Sequence, residues 1–98
     1  MIDVRQTDEF GQWLRRLADS NAVARIVARI RRMEQGNSGD VRSVGEGVME
    51  MRIDYGPGYR VYYVQRGAEI MILLCAGDKR TQARDIRRAQ TLARGLTE

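Results

Sequence analysis

The chain has 98 residues, with 17 basic and 13 acidic side chains, a formal net charge of +4 and no histidine. Its single cysteine, Cys75, excludes an intrachain disulfide, and the absence of histidine removes the commonest metal ligand, so no metal or other cofactor is expected. No run approaches the roughly 18 apolar residues of a membrane span, and the first ten residues lack the layout of a signal peptide, which predicts a cytoplasmic protein.

The length predicts a single domain that covers residues 1–98. Sixteen of the 17 basic residues are arginine, and the other is Lys79. Because the planar guanidinium group suits phosphate and carboxylate, this balance favours a nucleic acid or an acidic protein as the partner.

The first half combines an alternating stretch with two helical patterns. The opening IDVRQ alternates apolar and charged residues and predicts a short strand. Thr7 is a good helix N-cap, and Asp19 or Ser20 can cap a second helix. Apolar residues recur at helical spacing after each cap: Phe10, Trp13, Leu14 and Leu17, then Val23, Ile26, Val27, Ile30 and Met33.

The second half has the period of two that is typical of strands. VMEMRIDY alternates strictly, YRVYYVQ alternates less cleanly, IMILLC suits a central strand, and DVRSVG predicts a short edge strand. A weaker helical pattern with several arginines ends the chain. The order β-α-α-(β)-β-β-β-α predicts an α+β domain, with an antiparallel sheet and a helical hairpin packed on one face. Trp13 and Cys75 are expected in the core.

The stretch IDYGPGYRVYY contains the only proline and predicts a chain reversal before Arg60. GPGY fits a type II turn, since Pro57 fixes its own φ and Gly58 supplies a positive one. A type II turn does not match the twist of a tight two-residue hairpin, so we expect a longer loop over residues 54–58.

Strand alternation places Arg60, Arg52 and Glu50 on the sheet face directed away from the helices, which is expected to be open. Lys79 and Arg80 follow the central strand. Several cations on such a face suit a phosphodiester backbone. The residues alone leave a second interpretation equally open, an ordinary solvated face with cross-strand ion pairs such as Glu50 with Arg60.

Two motifs at compatible spacing, VMEMRIDYGPGYRVYYVQRG and ILLCAGDKRTQARDIRRA, resemble the RelE/ParE toxin superfamily of type II toxin–antitoxin modules, and within it the HigB-like addiction module killer proteins. The resemblance covers nearly the whole chain. It implies the β-α-α-β-β-β fold and a ribosome-dependent messenger RNA endoribonuclease that inhibits translation. In that reaction a ribose 2′-hydroxyl attacks the adjacent phosphate and leaves a cyclic phosphate, without a metal.

The resemblance also implies residue roles. Arg60 and Arg52 match the strand-borne basic residues that bind the phosphate and stabilise transition-state charge, and Lys79 or Arg80 matches a basic residue after the last strand. Arg84 is a further candidate for RNA binding. The chain departs from the family in having no histidine, and in having Glu50 where RelE-like enzymes carry a lysine. Glu50 is therefore a candidate general base, and the roles open to Tyr62 are proton donor, stacking platform for a base or filler of the sheet.

The implied partners are a cognate helix-turn-helix antitoxin, through which the complex binds operator DNA, and the ribosome with its messenger RNA. Two alternatives remain open. A ParE-like protein shares the fold but poisons DNA gyrase without enzymatic activity, and an inactive toxin remnant would be only a basic binding module.

Overall fold

The computed structural model describes residues 1–96. Its elements are β1 (Asp3–Gln6), α1 (Asp8–Arg16), α2 (Ser20–Glu34), β2 (Val41–Ser43), β3 (Val48–Ile53), β4 (Tyr59–Arg66), β5 (Ile70–Asp78), a 3-10 turn (Lys79–Thr81) and α3 (Gln82–Arg94). This order confirms the predicted α+β architecture, including the short edge strand and the final helix. Within residues 1–96, no helix has the length and apolar character needed to cross a membrane.

The five strands form one sheet in the order β1-β5-β4-β3-β2. Strands β2 to β5 are an antiparallel meander, as predicted, but β1 runs parallel to β5, with Val4 opposite Met71. The sheet is therefore mixed rather than wholly antiparallel. The reason is topological, because only a tight hairpin forces neighbouring strands to run antiparallel, and β1 reaches β5 through the rest of the fold.

The helical hairpin of α1 and α2 packs on one sheet face, as predicted. Thr7 caps α1 by accepting a 3.1 Å hydrogen bond from Phe10 N. Asp19, rather than Ser20, caps α2, because its Oδ1 accepts from the backbone N–H groups of Asn21 and Ala22. The core between hairpin and sheet includes Phe10, Ala22, Ile26, Met33, Met51, Ile53, Tyr59, Val61, Tyr63 and Leu73, with Trp13 partly buried against it.

The opposite face is not open, because α3 packs across part of it. A second core there contains Val48, Tyr62, Val64, Leu74, Cys75 and Ala89. Valines lie at one end of this face, on β3 and β4, and Arg52 and Arg60 lie opposite each other at the other end. Helix α3 therefore covers the apolar end, because burial of apolar surface is favourable and burial of unpaired charge is not.

Candidate nucleic-acid interface

Residues 54–58 join β3 to β4, which confirms the predicted length of the loop. The turn within it is closed by Gly58 N, which donates a 3.1 Å hydrogen bond to Tyr55 O, so the hydrogen-bonded turn begins one residue before GPGY. Gly56 and Gly58 have φ values of 56° and 80°, in the left-handed region that favours glycine. The glycines of the loop are therefore explained by its backbone conformation.

The start of α2 holds this loop in place. The hydroxyl of Tyr55 donates a 2.9 Å hydrogen bond to Asp19 Oδ2, and the guanidinium of Arg25 lies 4.7 Å from the centre of the Tyr55 ring. The hydrogen bond from Tyr55, together with those from the backbone, holds the pKa of Asp19 below its usual value. The loop that precedes Arg60 is thus tied to the helical hairpin.

A cleft of about 410 Å³ opens beside the loop at the uncovered end of the sheet. Its lining contains three cations, Arg52, Arg60 and Lys79, all of which were singled out from the sequence. Two carboxylates that were not foreseen, Asp40 and Asp54, complete the charged lining. No pattern marks Asp40 in the sequence, since it lies in a loop and approaches β3 only through the fold.

Arg52 is neutralised within the cleft by Asp40. Its Nη2 and Nε lie 2.7 Å and 3.1 Å from Asp40 Oδ1, which raises the pKa of Arg52 and lowers that of Asp40. Arg29 of α2 braces this pair by donating to Arg52 O at 2.5 Å and to Ser38 O at 3.1 Å. The sequence does not indicate this structural role of Arg29, because its place in the helical pattern of α2 is the same as that of a solvent-exposed arginine.

Arg60 and Lys79 differ from Arg52 in having no hydrogen-bonded or ion-paired side chain in the described part of the chain, although the charge of Arg60 helps to lower the pKa of Asp40. Neither makes a hydrogen bond or ion pair within residues 1–96, and the Nε atom of Arg60 is buried without an acceptor there. Both side chains lie against Gly58, where an added Cβ would be 3.5 Å from Lys79 Cβ and 3.9 Å from Arg60 Nη1. The cleft therefore offers an anion two cationic side chains whose donors make no hydrogen bond within residues 1–96.

Glu50 lies outside this cleft, in a buried network below α3. It accepts hydrogen bonds from Arg42 Nε at 2.7 Å, Gln82 Nε2 at 2.8 Å and the Tyr62 hydroxyl at 2.9 Å. Its exposed fraction is 0%. The expectation of an exposed Glu50 is wrong because α3 covers it, and its ion pair is with Arg42 on β2 rather than with Arg60.

Burial and hydrogen bonding oppose each other at Glu50. Burial alone raises a carboxyl pKa, but the hydrogen bonds from Arg42, Gln82 and Tyr62 outweigh it, so the pKa of Glu50 lies below its usual value. Burial and the adjacent carboxylate raise the pKa of Tyr62. A charged, shielded carboxylate and a phenol of raised pKa are poorly suited to exchange protons with a bound ligand.

Arg80 and Arg84 lie at a second cleft of about 360 Å³, which also contains Trp13, Pro57 and Tyr59. Arg80 Nη2 is 2.9 Å from Asp78 Oδ2, and Arg84 Nε is 3.7 Å from Asp85 Oδ1. The structure therefore divides the predicted site residues into three groups: Arg52, Arg60 and Lys79 in the first cleft, Arg80 and Arg84 in the second, and Glu50 with Tyr62 inside.

Most polar residues of the motif GDKRTQARD have structural partners. Asp78 accepts from Arg80 N at 2.8 Å, Thr81 Oγ1 donates to Asp85 Oδ2 at 2.5 Å, and Gln82 contacts Glu50. Of the charged and polar side chains from position 78 to 85, Lys79 alone makes no hydrogen bond or ion pair within the described part of the chain. The contacts of the fold therefore account for the other polar residues of the motif but not for Lys79.

The comparisons with known proteins agree with this fold. A solution structure of the conserved hypothetical protein HP0894 from Helicobacter pylori superposes with a TM-score of 0.55 at 17% identity, covering 82% of this chain and 97% of that one. An uncharacterized protein of Haemophilus influenzae is 47% identical over 95 residues, 97% of this chain and 96% of the relative. The profile of the family "Phage derived protein Gp49-like (DUF891)" matches residues 12–94. The chain therefore belongs to the Gp49-like family, which is related to the HigB/RelE-like proteins of toxin–antitoxin modules.

Proposed function

We propose that this protein is the toxin of a type II toxin–antitoxin module and acts as a ribosome-dependent endoribonuclease that cuts messenger RNA and inhibits translation. The relation of its family to toxin–antitoxin modules supports the role of toxin. The observation that carries the nuclease role is the pair Arg60 and Lys79, two cations that line an open cleft and make no hydrogen bond or ion pair within residues 1–96.

The proposed reaction needs charge stabilisation above all. When the 2′-hydroxyl of a ribose attacks the adjacent phosphate, negative charge accumulates on the phosphate oxygens, and the bond to the next 5′ oxygen breaks to leave a 2′,3′-cyclic phosphate. Arg60 is assigned the role of stabilising this negative charge. Hydrogen-bond donors that are already oriented in a site stabilise a transition state far more than mobile donors in water do. Lys79, which also lies beside Gly58, contacts the same phosphate. Arg52 holds the wall of the cleft with Asp40 and contributes less.

Two protons move in this reaction, and the cleft contains candidates for both transfers. Asp54 lines the cleft and makes no hydrogen bond or ion pair within the described residues. We therefore assign to Asp54 the role of the general base, which accepts the proton of the attacking 2′-hydroxyl. The leaving 5′ oxygen receives a proton from the Lys79 ammonium. Glu50, proposed from the sequence as the base, is instead assigned the role of holding β2, β3 and α3 together.

The partners follow from the same proposal. A helix-turn-helix antitoxin neutralises the toxin in the cytoplasm and carries the complex to operator DNA. The first cleft is open and small, so it contacts only a few nucleotides of the messenger RNA. The ribosome is therefore expected to hold the messenger RNA in place for cleavage. An adjacent gene that encodes a helix-turn-helix protein is the expected genetic context.

The test is to induce the chain without an antitoxin, and to follow growth, translation and the 5′ ends of transcripts. We expect growth arrest with new 5′ ends inside translated frames. Arg60→Ala is expected to lower cleavage by a factor of about 10² to 10³, the usual effect of removing one such donor. Arg31→Ala, which removes an exposed arginine of α2, is the matched control and should cleave normally.

Two outcomes contradict the proposal. Arrested cells with intact transcripts and normal translation exclude a messenger RNA nuclease, and an accompanying DNA-damage response then indicates the ParE-like poisoning of gyrase. Harmless overexpression of a folded protein indicates an inactive binding module.

A further inference from the structure

The second cleft is lined by both apolar and charged side chains. Its apolar lining includes the partly buried Trp13 and Leu17 and the exposed Pro57. The Trp13 ring is packed edge-on against Tyr59, with 6.0 Å between their centres, and also contacts Phe10, so its orientation is set by the core. Trp13 was expected to be a core residue, and the structure shows that it also borders a cleft.

Cations lie beside these apolar surfaces. The side chains of Arg80 and Arg84 are 82% and 73% exposed. Two carboxylates also line the cleft, but Asp78 is bound by Arg80, and Asp85 accepts a 2.5 Å hydrogen bond from Thr81. Within residues 1–96, the one ion pair of Arg84 is a long 3.7 Å contact with Asp85, so its guanidinium is the group available to a ligand.

The two clefts adjoin each other at the β3–β4 loop. Pro57 lines both of them. Lys79 and Arg80 are consecutive residues of the 3-10 turn, and each lines a different cleft. Gly58 and Lys79 lie close together in the first cleft, and Arg80 of the second cleft is the next residue after Lys79, so an RNA strand bound to Lys79 has Arg80 within reach.

We propose that the second cleft is a nucleobase subsite, which binds the base of a nucleotide neighbouring the phosphate held by Arg60 and Lys79 in single-stranded RNA. The inference rests on the proposed function, since it takes the first cleft as the phosphate site. Trp13 and Pro57 form the apolar walls, and Arg84 stacks on the base or donates to its edge. Aromatic and arginine surfaces of this kind bind unpaired bases in other single-strand sites.

The test measures binding of a fluorescently labelled RNA of about six nucleotides, a length typical of one single-strand site. Its riboses carry 2′-O-methyl groups, which remove the attacking hydroxyl and prevent cleavage, and the salt concentration is kept low because phosphate contacts are salt-sensitive. A parallel set of oligonucleotides has one abasic position, moved along the strand. The variants are Arg84→Gln, Arg60→Gln and the control Arg31→Gln, each checked for folding by thermal melting.

If the subsite exists, an abasic nucleotide at one position lowers affinity by about tenfold, and Arg84→Gln has a similar effect, as expected for one stacked base. The two changes together cost little more than either alone, because both remove the same contact. Trp13 is the only tryptophan, so its fluorescence gives a second signal: intact RNA quenches it, and the abasic RNA does not.

Two other results are distinguishable. If Arg60→Gln weakens binding while every abasic RNA binds like the intact one and Arg84→Gln behaves like Arg31→Gln, the subsite is refuted and the phosphate cleft stands. If RNA does not bind, or binds equally well to Arg60→Gln, the proposed function fails and the subsite fails with it.

Discussion

The hydroxyl of Tyr62 donates a 2.9 Å hydrogen bond to Glu50 Oε2 in the interior between the sheet and α3. Both residues are fully buried. Within residues 1–96, Glu50 is the only acidic residue with an exposed fraction of 0%. A buried charge is tolerated only when its hydrogen bonds are satisfied, so this contact belongs to the stability of the protein. It connects β3, β4 and, through Gln82, the start of α3.

Tyr62→Phe is expected to destabilise the protein by about 1.5–3 kcal/mol, the usual range for a hydrogen bond to a charged group. Urea unfolding at neutral pH measures the change. Tyr63→Phe is the matched control, because Tyr63 is equally buried but its hydroxyl has no hydrogen-bond partner within residues 1–96. A loss in Tyr62→Phe no larger than in Tyr63→Phe contradicts the role of the network.

The same network predicts a dependence of stability on pH. The pKa of Glu50 is lowered from 4.5 in the folded protein, so its contribution is present above that value and is lost as the pH falls through the folded pKa. Glu50→Gln is expected to be clearly less stable than the wild type at pH 7, and the difference should shrink below about pH 4.5. Urea unfolding from pH 7 to pH 3 measures it, and a difference independent of pH contradicts the assignment.

Much of the fold follows from local patterns that the sequence shows plainly. The caps at Thr7 and Asp19, the strict alternation of β3 and the loop over residues 54–58 are each set by neighbouring residues. The parallel pairing of β1 with β5 has no local signal, because it depends on a contact between segments about 67 residues apart. Periodicity therefore predicts that a segment is a strand, but not which strand it pairs with.

The features of the candidate site that depend on local patterns were likewise predictable from the sequence, and those that depend on distant contacts were not. Alternation correctly put Arg52 and Arg60 on one face, but it could not show that α3 covers part of that face. Val48 and Val64, which share the face with Glu50, are the signal that was available, since they require burial. The partners Arg42 and Gln82 come from distant segments, so the state of Glu50 could not be read from its neighbours in the chain.

Glycine is expected to be required at position 77 because a larger side chain would clash with its neighbours, and not because the backbone has a positive φ there. A Cβ added there would lie 1.9 Å from Asp85 Oδ2 and 2.8 Å from Thr81 Oγ1. Gly77→Ala should therefore cost about 1–3 kcal/mol, as other overpacked sites do. Gly95→Ala is the control, since its added Cβ would meet nothing closer than 3.6 Å. In an Asp85→Ala background the cost of Gly77→Ala should fall, and an unchanged cost would refute the steric explanation.

Arg29 is expected to position the cleft rather than to bind RNA. Its guanidinium donates to Arg52 O and Ser38 O, so its hydrogen bonds are directed at the backbone behind Arg52. Arg29→Met should loosen the loop over residues 35–40, which hydrogen exchange detects as faster exchange there, while Arg32→Met on the exposed side of α2 should not. Unchanged exchange in Arg29→Met would show that the loop is held by other contacts.

Asp40→Asn is expected to strengthen RNA binding, because Asp40 neutralises Arg52 in a cleft that also contains the cations Arg60 and Lys79. The substitution keeps the size of the side chain and removes one negative charge. We expect affinity for a short single-stranded RNA to rise by a few-fold at low salt, and the salt dependence to steepen because one more cation contacts phosphate. Asp3→Asn is the control, since Asp3 pairs with Arg5 on β1 outside this cleft. If Asp40→Asn weakens binding, then Asp40 orients Arg52 for the ligand instead of neutralising it, and Arg52 is a more important phosphate contact than Arg60 and Lys79.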